Sequence, residues 1–145
     1  MFRDLIRTEN DEALTVLRVM LGIVIFPHGA QKLLGWFGGY GFNATMHWFT
    51  LQLGIPSPFA YLAILAEFFG ALFLLFGFLT RIAAFGISCV MVVAVFMLHI
   101  HHGFFLNWSN RQGGEGIEFH LLVVAIGVVL MMRGGGKWSI DEMMN

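Results

Sequence analysis

Residues 58–79 read PFAYLAILAEFFGALFLLFGFL, with Glu67 as the only charge. At about 1.5 Å of rise per residue, such a helix crosses the roughly 30 Å of a bilayer's hydrocarbon core. A helix apolar on every side has no polar face to give to water. The stretch is therefore read as a membrane span, and it sets the class of the whole chain.

Composition points the same way. Of 145 residues, 58% are hydrophobic and 12% charged, and the mean hydropathy is +0.78. The charged share is about half that of ordinary soluble domains. Four Trp residues, all at the ends of expected spans, fit an interface belt. A net charge of −1 without a Lys/Arg cluster argues against a nucleic-acid partner. The single Cys89 leaves no internal disulfide and no paired-cysteine redox motif. At the N-terminus, acidic residues separate the bases from the first apolar run, and no small-residue cleavage site follows. No removable signal peptide is expected. No linker or repeat divides the chain, so one domain is expected over residues 1–145.

Three further segments qualify as spans. Residues 13–34 contain Arg18, His28 and Lys32; residues 82–100 carry no charge before His99; residues 117–133 are short. The expected fold is all-α, an integral membrane antiparallel four-helix bundle. Only Thr80 and Arg81 separate spans two and three, which implies a tight hairpin. The 35–57 connection includes NATMHWFTLQLG (residues 43–54), where Asn43 is expected to cap a short helix at the membrane interface. Arg3, Arg7, Arg81, Arg133 and Lys137 fall on one side of the membrane, and Lys32 and Arg111 on the other. The positive-inside rule then puts both termini in the cytoplasm.

Ionisable residues inside a membrane are costly and usually face the bundle interior. With that orientation, His28 and Lys32 lie in the outer half of span one, His99 ends span three, and Glu118 and His120 open span four. Glu67 sits about 13 Å into span two. Four helices thus send polar groups toward one region, and Arg18 lies in the inner half. Arg18 is a candidate partner for Glu67 across about 10 Å of depth, with Lys32 and His28 as competitors. Glu118 and His120 are about 200° apart on a helix, so one of them points away from the interior. Pro27 is expected to bend span one. His99 and His102 share a helical spacing that would suit a metal, and His28 with His99 or His120 would suit a haem. Neither spacing is a specific motif. Aromatic residues beside a histidine or an acid would also suit a quinone.

LRVMLGIVIFPHGAQKLLGWFGGYG (17–41), IPSPFAYLAILAEFFGALFLLFGFLTRIAA (55–84) and GIEFHLLVVAIGVVLMMRGGGKWSID (116–141) together resemble the DoxX family. The resemblance rests on Arg18, the His-Gly-x-Gln-Lys of residues 28–32, Gly38-Gly39, Ala66-Glu67 with Gly70, Thr80-Arg81, and Glu118. It implies a small bacterial inner-membrane protein linked to quinone chemistry and oxidative-stress complexes. Two functions follow as expectations. The first is a redox component that binds a quinone-like ligand through Arg18, His28, Lys32, Glu67, His99, Glu118 and His120. His28 or Glu67 would handle protons, and a partner would supply electrons. The second is a non-catalytic subunit that anchors or assembles a larger membrane complex, alone or as a homo-oligomer, with the same charges holding helices together.

Overall fold

The computed structural model describes residues 2–145, and every regular element among them is helical. These are α1 (Phe2–Ile6), α2 (Glu12–Leu33), α3 (Gly41–His47), α4 (Ser57–Phe76), α5 (Thr80–Ala94), α6 (Glu118–Arg133) and α7 (Ile140–Met144). Wider π-type turns extend α3 over Trp48–Gln52 and α5 over Val95–His99, and a 3-10 turn covers Ile100–His102. Three helical stretches are long and apolar enough to cross a membrane: Glu12–Leu33, Ser57–Phe76 and Thr80–His102. At 16 residues, α6 is shorter.

The main packing is α2 on α4, α4 on α5 and α5 on α6. The core draws Leu21 and Ile25 from α2, Leu74 from α4, Ile87 and Met91 from α5, and Val123 and Leu130 from α6. Close approach of α2 to α4 depends on Gly29. A methyl group there would lie 2.6 Å from the Phe68 backbone. Lipid tails are as apolar as leucine, so small residues that let backbones approach favour association more than further apolar area does.

The connection between α4 and α5 differs from the expected one. Gly77 (φ +66°) ends α4 in the left-handed region, and Leu79 (φ +46°) follows it there. The Asp141 carboxylate accepts hydrogen bonds from the backbone amides of Leu79 and Thr80, both at 2.8 Å. Thr80 and Arg81 therefore open α5 instead of bridging two helices. Asn43 is also not a cap. Gly41 (φ +79°) turns the chain into α3 two residues earlier, and Asn43 lies exposed within the helix. Phe49, in the following π turn, packs with Ala60 and Ile64 of α4. Helix α2 is continuous through Pro27.

At one end of the molecule the two terminal segments lock the helices together. Arg18 is 2% exposed. It donates to the carbonyls of Leu74 (2.9 Å), Leu75 (2.8 Å), Gly135 (2.8 Å), Lys137 (3.3 Å) and Trp138 (3.2 Å). The last carbonyls of a helix lack regular intrahelical partners, and the guanidinium fork serves two of those of α4, Leu74 and Leu75. Arg133 pairs with Glu9 and Asp11, and Arg81 donates to the carbonyls of Arg7 and Met131.

Candidate functional site

The opposite end holds a cavity of about 460 Å³. His28 and Lys32 of α2, Glu67 of α4, His99 at the end of the α5 extension, and Phe119 and His120 of α6 all line it. The connections close it with Trp48, Phe49, Trp108 and Glu115.

Glu67 is 3% exposed and sits against Lys32, with Nζ to Oε2 at 2.7 Å. The Lys32 ammonium is therefore the charge partner of the buried carboxylate. The Lys32 side chain keeps about a quarter of its exposure, and its ammonium also reaches the His28 carbonyl at 3.4 Å. The His28 ring is exposed at the cavity mouth, 5.9 Å from the ring of Phe119. The arrangement presents a buried carboxylate, a cation and an imidazole to one space.

A histidine pair faces them. The rings of His99 and His120 lie 4.1 Å apart. His99 Nδ1 is 2.9 Å from the Glu115 carbonyl oxygen. A carbonyl only accepts, so Nδ1 carries the hydrogen, and Nε2 of neutral His99 is an acceptor. His120 is 7% exposed, and its Nδ1 has no hydrogen-bond partner. His99 is the last residue of the π-type turn over Val95–His99, and turns of this kind recur at functional sites.

The expected site residues divide into two groups. His28, Lys32, Glu67, His99 and His120 come together around the cavity. Arg18 lies at the far end, bound to backbone carbonyls, because α2 places it about two turns below the depth of Glu67. Glu67 pairs instead with Lys32, from the same helix as Arg18. Glu118 turns to the connecting segment, where Oε1 accepts from the Leu106 amide at 2.9 Å, leaving His120 as the interior residue of that pair. His102 packs against Gly113 and Gly114, away from the cavity. Among the described residues, no group of three or more His, Cys, Asp or Glu side chains is arranged to hold a metal ion.

Glu115 and Phe119 were not singled out by sequence, and Trp108 was read only as part of an interface belt. Glu115 acts twice: its carbonyl orients His99, and its carboxylate accepts from the Asn107 amide at 2.6 Å. Only tertiary folding brings the connecting segment back over α6, so no local pattern marks these residues. The one available signal was the adjacency of Phe119 to His120.

Comparison with known proteins identifies the family. The DoxX family model matches residues 13–100. An inner membrane protein of Escherichia coli (strain K12), YqjF, is 29% identical over 94% of this chain and 95% of its own. A Bacillus subtilis (strain 168) protein named "Putative oxidoreductase CatD" is 27% identical over 87% of this chain and 82% of its own. No solved structure matches the chain. With apolar helices of spanning length and a family match over more than half of its residues, the chain belongs to the DoxX family and is a membrane protein.

Proposed function

We propose that the protein is the membrane component of a redox system and binds a quinone-like small molecule in the cavity. The observation that carries this reading is the convergence on one cavity of the buried Glu67–Lys32 ion pair and the buried His120 imidazole, whose Nδ1 has no hydrogen-bond partner. A buried imidazole nitrogen without a partner is uncommon and calls for a cause, and a bound ligand supplies one. The oxidoreductase name of the Bacillus subtilis relative supports the redox class.

In this reading Lys32 and His28 hold the polar end of the ligand. Glu67 or His28 exchanges protons with it, and the His99–His120 pair completes the opposite wall. Arg18 and Glu118 serve the chain's own backbone and stand outside the ligand set. Electrons come from a partner subunit, since no electron carrier is recognisable in the sequence. Helix α6 completes an antiparallel four-helix bundle, spanning where the bilayer thins or the helix tilts least. The α3 segment lies at the interface, the chain forms one domain in the bacterial inner membrane, and both termini are cytoplasmic.

The test compares Glu67→Gln and His28→Ala with the unaltered protein. Membrane abundance and quinone-dependent turnover are measured on the same membranes. Normal abundance with lost turnover is expected. Intact turnover in both variants, or loss of the protein itself, would overturn the ligand-site reading and leave an anchoring subunit.

A further inference from the structure

A second recess lies beside the cavity. It is a groove of about 520 Å³ between α4 and the α5 extension, and it falls among the roughly 300–1,000 Å³ typical of small-molecule sites. Its lining is apolar throughout apart from the thiol of Cys89. On the α5 side it runs from Leu98 to Phe85, about 20 Å of helix.

Groove and cavity adjoin. Phe49, Val90, Ala94 and Leu98 line both. Gly86 lies on the groove floor, where a methyl group would come into contact with the Ala66 side chain at 3.4 Å. A polar chamber that holds a buried carboxylate and a buried imidazole therefore lies beside an apolar channel on the face of two span-length helices. A wholly polar solute would fill only the chamber. A molecule with a polar head and one apolar chain matches both parts.

We propose that the ligand is a single-chain amphiphile taken sideways from the bilayer. Its head lies among Lys32, Glu67 and His120, and its chain lies in the groove over Gly86 and Cys89. The inference rests on the reading of the cavity as a ligand site and adds the ligand's class and route of entry. Apolar contact along the groove supplies affinity, and the few polar groups at its end fix orientation.

Cys89 is the only cysteine of the chain and is exposed on the groove, so its alkylation reports occupancy of the chain site. The protein in lipid nanodiscs is treated with N-ethylmaleimide in the presence of decylubiquinone or of duroquinone, which has no chain. Binding of each probe is measured separately by calorimetry, with empty nanodiscs subtracted. A Cys89→Ser, Val128→Cys variant carries its thiol on lipid-exposed α6 as a control.

Decylubiquinone at about ten times its Kd is expected to slow Cys89 alkylation about tenfold, because only the unoccupied fraction reacts. Duroquinone is expected to leave the rate unchanged, and neither probe is expected to affect the thiol at position 128. Binding of decylubiquinone without protection of Cys89 would overturn the groove while leaving the cavity reading intact. Equal slowing at position 128 would overturn it too, as a general effect of the probe on the bilayer. Absence of binding by either probe would remove the cavity reading and the groove together.

Discussion

Lys32 and Glu67 form an unequal pair. The Glu67 side chain is 4% exposed and that of Lys32 26%. Removing the lysine strands a carboxylate in a low-dielectric interior, whereas removing the carboxylate leaves an ammonium that water still reaches. Lys32→Ala is therefore expected to destabilise the protein by about 3–5 kcal/mol, and Glu67→Gln by less than about 1 kcal/mol. Thermal unfolding in detergent measures both, and equal losses would contradict the burial difference. Arg18 acts on backbone alone. Arg18→Lys keeps the charge, but one ammonium with three donors cannot serve five carbonyls spread over two segments. Membrane abundance of Arg18→Lys is expected to fall well below that of the unaltered protein.

Helix contacts set how precisely these side chains meet. Gly29 lies where α2 touches the backbone of α4, one turn from Lys32 and against Glu67 and Phe68. A methyl group at Gly22 would meet the Leu75 side chain at 2.9 Å and the Ala71 carbonyl oxygen at 3.0 Å; at Gly29 it would meet only backbone, at 2.6 Å. Gly29→Ala is thus expected to separate the helices, to lower thermal stability more than Gly22→Ala does, and to weaken probe binding in the cavity. At the other end Asp141 caps α5 from a distant part of the chain. Asp141→Ala is expected to cost about 1–2 kcal/mol, the usual worth of a helix cap. Amide hydrogen exchange at Leu79 and Thr80 would rise selectively.

For the molecule as a whole, the termini close one end while the histidines furnish the other. The closing contacts include Glu9, whose carboxyl titrates below its ordinary value because Arg133 donates a hydrogen bond to it. A lowered folded-state value means that this stabilisation is fully present above about pH 4.3, the unfolded carboxylate value. It is lost as the pH falls through the lowered folded value. The site is exposed, so the effect is small and is screened by salt. Glu9→Gln is expected to flatten the acid limb of the stability profile without altering stability near neutrality beyond the loss of one surface pair. A profile unchanged by the substitution would show that the pair does not form in solution.

Some of this was fixed by the order of residues. The apolar run around Glu67 dictates helices of spanning length, since in hydrocarbon a backbone must satisfy its own hydrogen bonds. Spacing along each helix also placed His28, Lys32, His99 and His120 toward the outer half, with Glu67 deeper, about 13 Å into its span. Other features needed the packed molecule. Which base reaches Glu67 depended on the crossing of α2 over α4 at Gly29, and the crossing chose Lys32 over Arg18. Which of Glu118 and His120 faces inward depended on a connection that folds back to claim the carboxylate for the Leu106 amide. Depth follows from counting residues at a fixed rise. The partner of a buried charge follows from rotation, crossing and return of the chain, and those are set by contacts between residues far apart in sequence.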